Sequence, residues 1–566
     1  MKIERVDDIP LLIAEFQKCG LAEKIDQYFP DHGNWIGPSG GKVTIGFLTY
    51  ILSCADHRLS HVEPWATGRL HVLGHCLEEP ALEPIHFSDD RLGSLLDRFS
   101  DTEQWDQFEA GLNQCLIRVH ELTLEEEAIR LDAFIAQSFR PEGELFQMGY
   151  SKQHRSDLPQ LKAMVATIDP LAMPIAVLIV SGEKADDPLY MPVIDKVKKT
   201  FPQPGLFFVG DAKLSSLSTR SQLQQQGHYY LAPLSKTQCT PEQLVQYLEQ
   251  RPPALEQLFK DDKSKEIQAQ AFELQEIVFD PELDLEWIER RIVVHSTAWA
   301  NTQQEKFYAR LDKAQAALQE ILMRKQRKKV PKTLADVQLK VKQVLQKYKV
   351  TPFFDVAIEQ LSVQIPVRKY GNRPARMKEE QQFFLHVQRN EVAIEQHQQT
   401  LGWRVYATNM PKKKLSPTQA VLCYRQEYRI EYKFNQLLNK VTALMPIFLK
   451  KPARVEALTK LLLLALKFVS LIQYQVRTEL KQSGQYLKEL FPGNPGRKTA
   501  QPTAEMLLRA FRDISLVILP VNDTFSVQVE KLKPVQLKIL SFLKIPPEVY
   551  FDLKRISFFN QNFIET

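Results

Sequence analysis

Cysteine is sparse and scattered in this 566-residue chain: Cys19, Cys54, Cys76, Cys115, Cys239 and Cys423, with no Cys-x-x-Cys pair. A disulfide scaffold or a zinc ribbon is therefore not expected, and a reducing compartment fits. Glycine is scarce as well, 21 residues against 34 prolines, which excludes a collagen-like or glycine-rich chain. Long apolar runs are missing. The most apolar stretch, Leu461 to Tyr474, falls short of the ~18 residues a membrane span requires and carries Lys467, so it predicts a buried helix. Met1 to Pro10 is charged and shows no basic n-region followed by an apolar h-region. The expectation is a soluble, cytoplasmic protein with no membrane partner. No phosphate-binding P-loop occurs, so ATP use is not indicated.

What is present is ordinary globular material, 44% hydrophobic and 25% charged, in a length that suggests three to five structural units. The net charge of +5 conceals an asymmetry. Residues 1–100 hold 9 Lys and Arg against 15 Asp and Glu, while residues 301–500 hold 37 against 15. The basic second half, with its dense run Met323 to Lys332 and the cluster Lys412 to Lys414, points to a polyanion such as nucleic acid.

Residues 1–125 read as helical, with apolar pairs one turn apart such as Leu12 and Phe16 or Phe47 and Ile51. The pairs His57/His61 and His71/His75 have helical spacing, but no third metal ligand accompanies them. From about residue 126 the texture becomes strand-like: Ile129 to Phe139, Lys162 to Asp169, Met173 to Ser181, then a helix from Leu189 to Thr200. A short apolar strand, Gly205 to Gly210, ends at Asp211, and another strand, His228 to Pro233, follows a polar helix. This order predicts an α/β layer with a mixed sheet. Residues 240–400 read as an insertion of strands, two helices (Thr302 to Lys329, Leu334 to Lys349) and extended segments. Sheet texture resumes at Trp403 to Thr408, and a long helix, Pro417 to Lys440, carries Glu427 and Glu431 one turn apart. Residues 481–566 read as mainly helical.

Three acids stand out by position. Asp132 interrupts an apolar strand, Asp211 follows the C-terminal end of a buried strand, where α/β proteins place their sites, and Glu431 lies among basic and aromatic residues. Buried carboxylates require counter-charge. Two divalent cations would supply it, and Mg²⁺ or Mn²⁺ suits hard oxygen ligands. Taken singly, an acid at a strand end is more often a helix cap or an ion-pair partner than a catalytic group.

Several segments together resemble the DDE transposases of bacterial insertion sequences. IRLDAFIAQSF resembles the strand of the first aspartate, GYSKQHRSDLPQLKAMVATIDP the family's hairpin, and GEKADD the turn before the first helix. FFVGDAKLSS resembles the segment of the second aspartate, YRQEYRIEYKFNQLL the glutamate helix, and LFPGNPGRKTAQPTAEMLLRAF the C-terminal tail. The resemblance implies an RNase H-like mixed-sheet core (126–239 and 401–480) interrupted by a β-containing insertion (240–400) and flanked by mainly helical regions (1–125 and 481–566). It implies Asp132, Asp211 and Glu431 as catalytic residues holding two Mg²⁺ or Mn²⁺ ions. The implied reaction is cleavage at transposon ends and strand transfer by 3′-hydroxyl attack. Tyr424, Arg425, Arg429, Lys440, Lys152 and Arg155 become candidate DNA contacts. The partners would be double-stranded DNA with terminal inverted repeats and a target DNA. A homodimer on paired ends, associated with the nucleoid of a bacterium, would be the active form.

Two positions depart from the family's Tyr-x₂-Arg-x₃-Glu-x₆-Lys signature: Glu427 replaces the arginine and Leu438 the lysine. The gap from Asp211 to Glu431 resembles relatives whose insertion helps flip a base onto a tryptophan, for which Trp287 and Trp299 are candidates. Two rival readings share the fold: an RNase H-like nuclease that does not transpose, and a DNA-binding relative with a decayed site.

Overall fold

The computed structural model describes residues 1–124, 127–139, 141–150, 155, 157–260, 267–323, 330–368, 376–440, 442–521 and 524–554. The chain divides into two compact units. The first comprises Met1–Ala232, Phe279–Trp287 and Gln419–Thr566; the second comprises Pro233–Val278 and Ile288–Thr418.

The first unit is organised by strands Ala128–Gln137, Gln160–Ile168, Met173–Ser181, Phe207–Gly210 and Tyr229–Pro233. In chain order they lie third, second, first, fourth, fifth across the sheet. The first three pair antiparallel. Phe207–Gly210 then pairs parallel with Ala128–Gln137 on one side and Tyr229–Pro233 on the other. This is the mixed sheet expected of an RNase H-like core. Composition explains the arrangement: the FFVG strand is buried along its whole length, as a parallel strand covered on both faces must be. Gln160–Ile168 is likewise fully buried.

Helices from both ends of the chain cover this sheet. Helix Thr102–Val119 reaches it through Asn113, whose side-chain amide donates to the Ile175 carbonyl at 2.8 Å. The apolar run at Leu461 lies within a 32-residue helix, Pro452–Ser483, and is buried as its composition predicts. Lys467 is completely enclosed there, its ammonium 3.1 Å from Glu109 and hydrogen-bonded to Asn113, which compensates a charge that burial would otherwise expel.

Local pattern did not anticipate a three-stranded sheet in which Lys2–Arg5 pairs with Ser515–Val521, and that strand with Thr524–Val529. Four residues, KIER, are too few for alternation to register, and their partner is some 500 positions away.

The second unit contains strands Glu256–Lys260, Ile267–Asp280, Leu285–Ser296 and Trp403–Thr408, adjacent in the order last, third, second, first. A helical pair, Thr297–Gln319 and Leu334–Tyr348, packs with Phe354 and Ile394 around Phe307, Leu311 and Val337. A 14-residue antiparallel ribbon follows, Phe354–Val367 against Arg376–Arg389. The first helix ends at Gln319, ten residues before the expected Lys329. Most of the basic run at Met323 to Lys332 (residues 324–329) lies outside the described residues.

Candidate active site

The parallel pairing of Ala128–Gln137 with Phe207–Gly210 sets Leu131 opposite Gly210, so Asp132 and Asp211, the latter just past its strand's end, follow at the same level. The Asp132 carboxylate accepts the Ala133 N–H at 2.7 Å. The Asp211 carboxylate accepts the Tyr190 hydroxyl at 2.7 Å and the Lys213 N–H at 2.9 Å. Tyr190 opens helix Tyr190–Thr200 and is buried. Burial drives its phenol far above the usual range, and the negative charges of Asp211, Asp132 and Asp186 push it further. Three carboxylates thus bear on one phenol, and negative charge is concentrated here. Sequence reasoning passed over Tyr190; its only signal was an aromatic residue at the start of the helix following GEKADD.

The long helix predicted over Pro417 to Lys440 is divided into Pro417–Arg425 and Tyr428–Asn439. Neither glycine nor proline causes the break. At the break, buried Arg130, projecting from the first strand, donates to the Cys423 carbonyl at 2.8 Å, and the same carbonyl accepts the Gln426 N–H at 3.2 Å. The backbone then tightens, with Glu427 N–H to Tyr424 O at 3.0 Å and Ile430 N–H to Glu427 O at 3.1 Å. Arg130 is held in turn by Asp169, 2.9 Å from Nε and 2.7 Å from Nη2.

The second helix is fixed to the first strand by Phe434 against Phe134, ring centroids 5.3 Å apart. Glu431 lies one turn before Phe434 and is exposed. Glu427, at the break, is half-buried and lines a small pocket with Asp132, Gly210 and Tyr424. Burial raises its carboxyl above the usual range, the charges of Glu431 and Asp211 raise it further, and a hydrogen bond from Tyr424 opposes them. The fold therefore draws Asp132, Asp211, Glu427 and Glu431 into one electrostatic neighbourhood. It does not close three of them into a ligand shell: among the described residues, no three His, Cys, Asp or Glu side chains are grouped so as to hold an ion. The donor set nevertheless fits a hard divalent cation. It consists of carboxylate oxygens whose mutual repulsion, visible at Glu427, a cation would relieve.

The other predicted site residues fall in different settings. Tyr424 lies in the pocket beside Asp132. Arg425 is exposed, and Lys440 is exposed with its ammonium 5.8 Å from the Tyr432 ring centre. Arg429 is 3.5 Å from Asp169, sharing with Arg130 the anchoring of the helix break. Arg155 is exposed and pairs with Asp157 at 2.8 Å, and Lys152 lies outside the described residues. Leu438, at the second departed signature position, is packed into the core. Trp287 is buried with its indole N–H on the Tyr230 hydroxyl at 2.9 Å, a core tryptophan. Trp299 is 41% exposed beneath the Arg404 guanidinium. His57 and His71 are buried, and the His71 ring meets the Leu553 carbonyl at 3.0 Å.

Comparison with known proteins gives one decisive match. The family profile described as "Transposase DDE domain" matches residues 131–468, which include all three candidate acids. Among solved structures, a piggyBac transposase synaptic complex with hairpin DNA is similar at 9% identity and a TM-score of 0.34, over 90% of this chain and 82% of that one. No curated protein matches. Since the profile covers more than half of the chain, the protein belongs to the transposase DDE domain family.

Proposed function

We propose that the chain is a DNA transposase that cleaves phosphodiesters at the ends of an element and joins the freed 3′-hydroxyl to target DNA. The observation that carries this reading is the pairing of Leu131 with Gly210 on neighbouring parallel strands, which sets Asp132 and, just past the second strand's end, Asp211 side by side, with Glu431 on the helix pinned by Phe434 and Glu427 at its start. Asp132, Asp211 and Glu431 would hold Mg²⁺ or Mn²⁺, which supplies Lewis-acid activation of the attacking oxygen and stabilises the leaving one.

The chain's own groups contribute orientation. Tyr190 fixes one Asp211 oxygen and keeps its proton, leaving the second oxygen available. Tyr424 steadies Glu427 beside Asp132. Arg425 and Lys440, exposed near the glutamate helix, supply positive charge for a phosphate backbone, partly replacing the basic signature positions occupied by Glu427 and Leu438.

Several acids of the N-terminal region are engaged internally, while Glu78, Asp89 and Asp90 are exposed. Glu4 accepts the His71 and Val72 N–H groups, and Asp31 pairs with Arg98. That supports a scaffolding and assembly role on paired ends better than direct end recognition. The test is divalent-ion-dependent nicking of a duplex carrying the DNA that flanks the reading frame, with strand-transfer products assayed separately. Wild type is expected to cleave and join, and Asp132→Asn to bind without cleaving. Cleavage without joining would favour the nuclease reading. Equal inertness of both proteins, with binding retained, would mark a decayed site.

A further inference from the structure

Beside the acid pair lies a cluster of opposite sign that the cleavage reading leaves unused. Lys162, on strand Gln160–Ile168, places its ammonium 2.6 Å from Asp186 Oδ1, while Lys213 ion-pairs with Asp186 Oδ2. Lys213 stands two residues beyond Asp211 and gives that carboxylate its backbone N–H. Asp186 belongs to the GEKADD turn, and its charge is felt by Tyr190 together with those of Asp211 and Asp132. Lys162, Lys213 and Asp186 line a cleft of about 210 Å³ with Ala133, the neighbour of Asp132, and Tyr150.

Two ammonium groups on the two oxygens of one carboxylate form a site for a small oxyanion with paired terminal oxygens. The non-bridging oxygens of a phosphodiester have that pairing. A DNA strand approaching clustered acids needs local positive charge to offset the repulsion, and the cleft lining, Lys162, Lys184 and Lys213 against Glu183 and Asp186, leaves an excess of it. We propose that Lys162 and Lys213 form a clamp for a backbone phosphate of the DNA strand entering the acid site, and that Asp186 holds the clamp as a competing anion when DNA is absent. This rests on the transposase reading and adds residues outside the acid set. It also accounts for GEKADD, because that turn delivers the placeholder.

A purely structural ion triad would tie the turn to the sheet and nothing more, and binding measurements separate the two. The full chain is titrated against a fluorescein-labelled random-sequence duplex in EDTA, by anisotropy, from about 50 to about 200 mM NaCl. Because each phosphate neutralised contributes about 0.9 to the slope of log affinity against log salt, Lys213→Gln is expected to lose about 3.5-fold less affinity than wild type over that interval. Lys213→Arg, which retains the charge, is expected to keep the wild-type slope. Asp186→Asn is expected to bind more tightly than wild type at every salt concentration, since it removes the competitor. An unchanged slope in Lys213→Gln, or weaker binding by Asp186→Asn with its melting curve intact, overturns the clamp alone. Wild-type protein that binds no duplex at any salt overturns the transposase reading and the clamp with it.

Discussion

Arg130 connects the first catalytic strand to the broken helix, and its removal should be felt in both stability and activity. Its side chain is 2% exposed, donates twice to Asp169 and once to the Cys423 carbonyl, and lies within the pocket that contains Asp132 and Glu427. Arg130→Met keeps much of the volume and removes the charge. Asp169, itself 3% exposed, would then retain only the Arg429 contact at 3.5 Å. Removing one partner of a buried pair typically costs about 3–5 kcal/mol, and the surviving arginine argues for the lower figure, about 3 kcal/mol. Asp169→Asn in the same background removes the stranded charge and should recover about 1–2 kcal/mol of that loss. Urea unfolding of the four proteins in the cycle measures both quantities, and end cleavage by the single variant reports the displaced glutamate helix. A loss below about 1 kcal/mol, or a double variant no more stable than Arg130→Met, would refute the claim that this ion pair organises the break.

Further predictions concern the acids. Tyr190→Phe removes the hydroxyl held by Asp211 and is expected to lower cleavage while costing no more than about 2 kcal/mol of stability, measured by nicking rate and melting. Glu431→Gln should reduce divalent-dependent cleavage by at least about 100-fold, whereas Glu427→Gln, which relieves repulsion, should remain active; the reverse result would transfer the third role to Glu427. Asp8 is buried and raised to about 6, chiefly by desolvation, against a hydrogen bond from Ser53. Between its unfolded value near 4 and about 6 the folded state binds the extra proton, so this group's contribution declines as pH rises through that window. Asp8→Asn should therefore match wild type near pH 4 and exceed it by up to about 3 kcal/mol above pH 7, checked by urea midpoints at the two pH values.

Much of the core was legible because its signals are local. Strands such as MPIAVLIVS and GLFFVG are short continuous apolar runs, and their strand character follows from composition. The burial of the Leu461 helix was equally plain. The candidate acids were legible only through the resemblance, since composition treats Asp132 and Asp211 like any other carboxylate. Missed altogether were the break between Tyr424 and Glu431, the Tyr190 contact and the Lys162–Asp186–Lys213 triad. Each depends on a partner distant in the chain: Arg130 reaches Cys423 across 293 positions, and Tyr190 reaches Asp211 across 21.

By itself, then, the amino-acid order determined most of the strands and helices of the core and how charge is apportioned along the chain. Those properties arise from side-chain size, polarity and periodicity within a few residues. Tertiary structure alone decided the level register of the two aspartates, the nearness of Glu427 to Asp211, and the capture of Lys162 and Lys213 by Asp186. Such relations are set by parallel strand pairing and by buried ion pairs. Both come into being only when packing has excluded water and brought remote parts of the chain within a few ångströms.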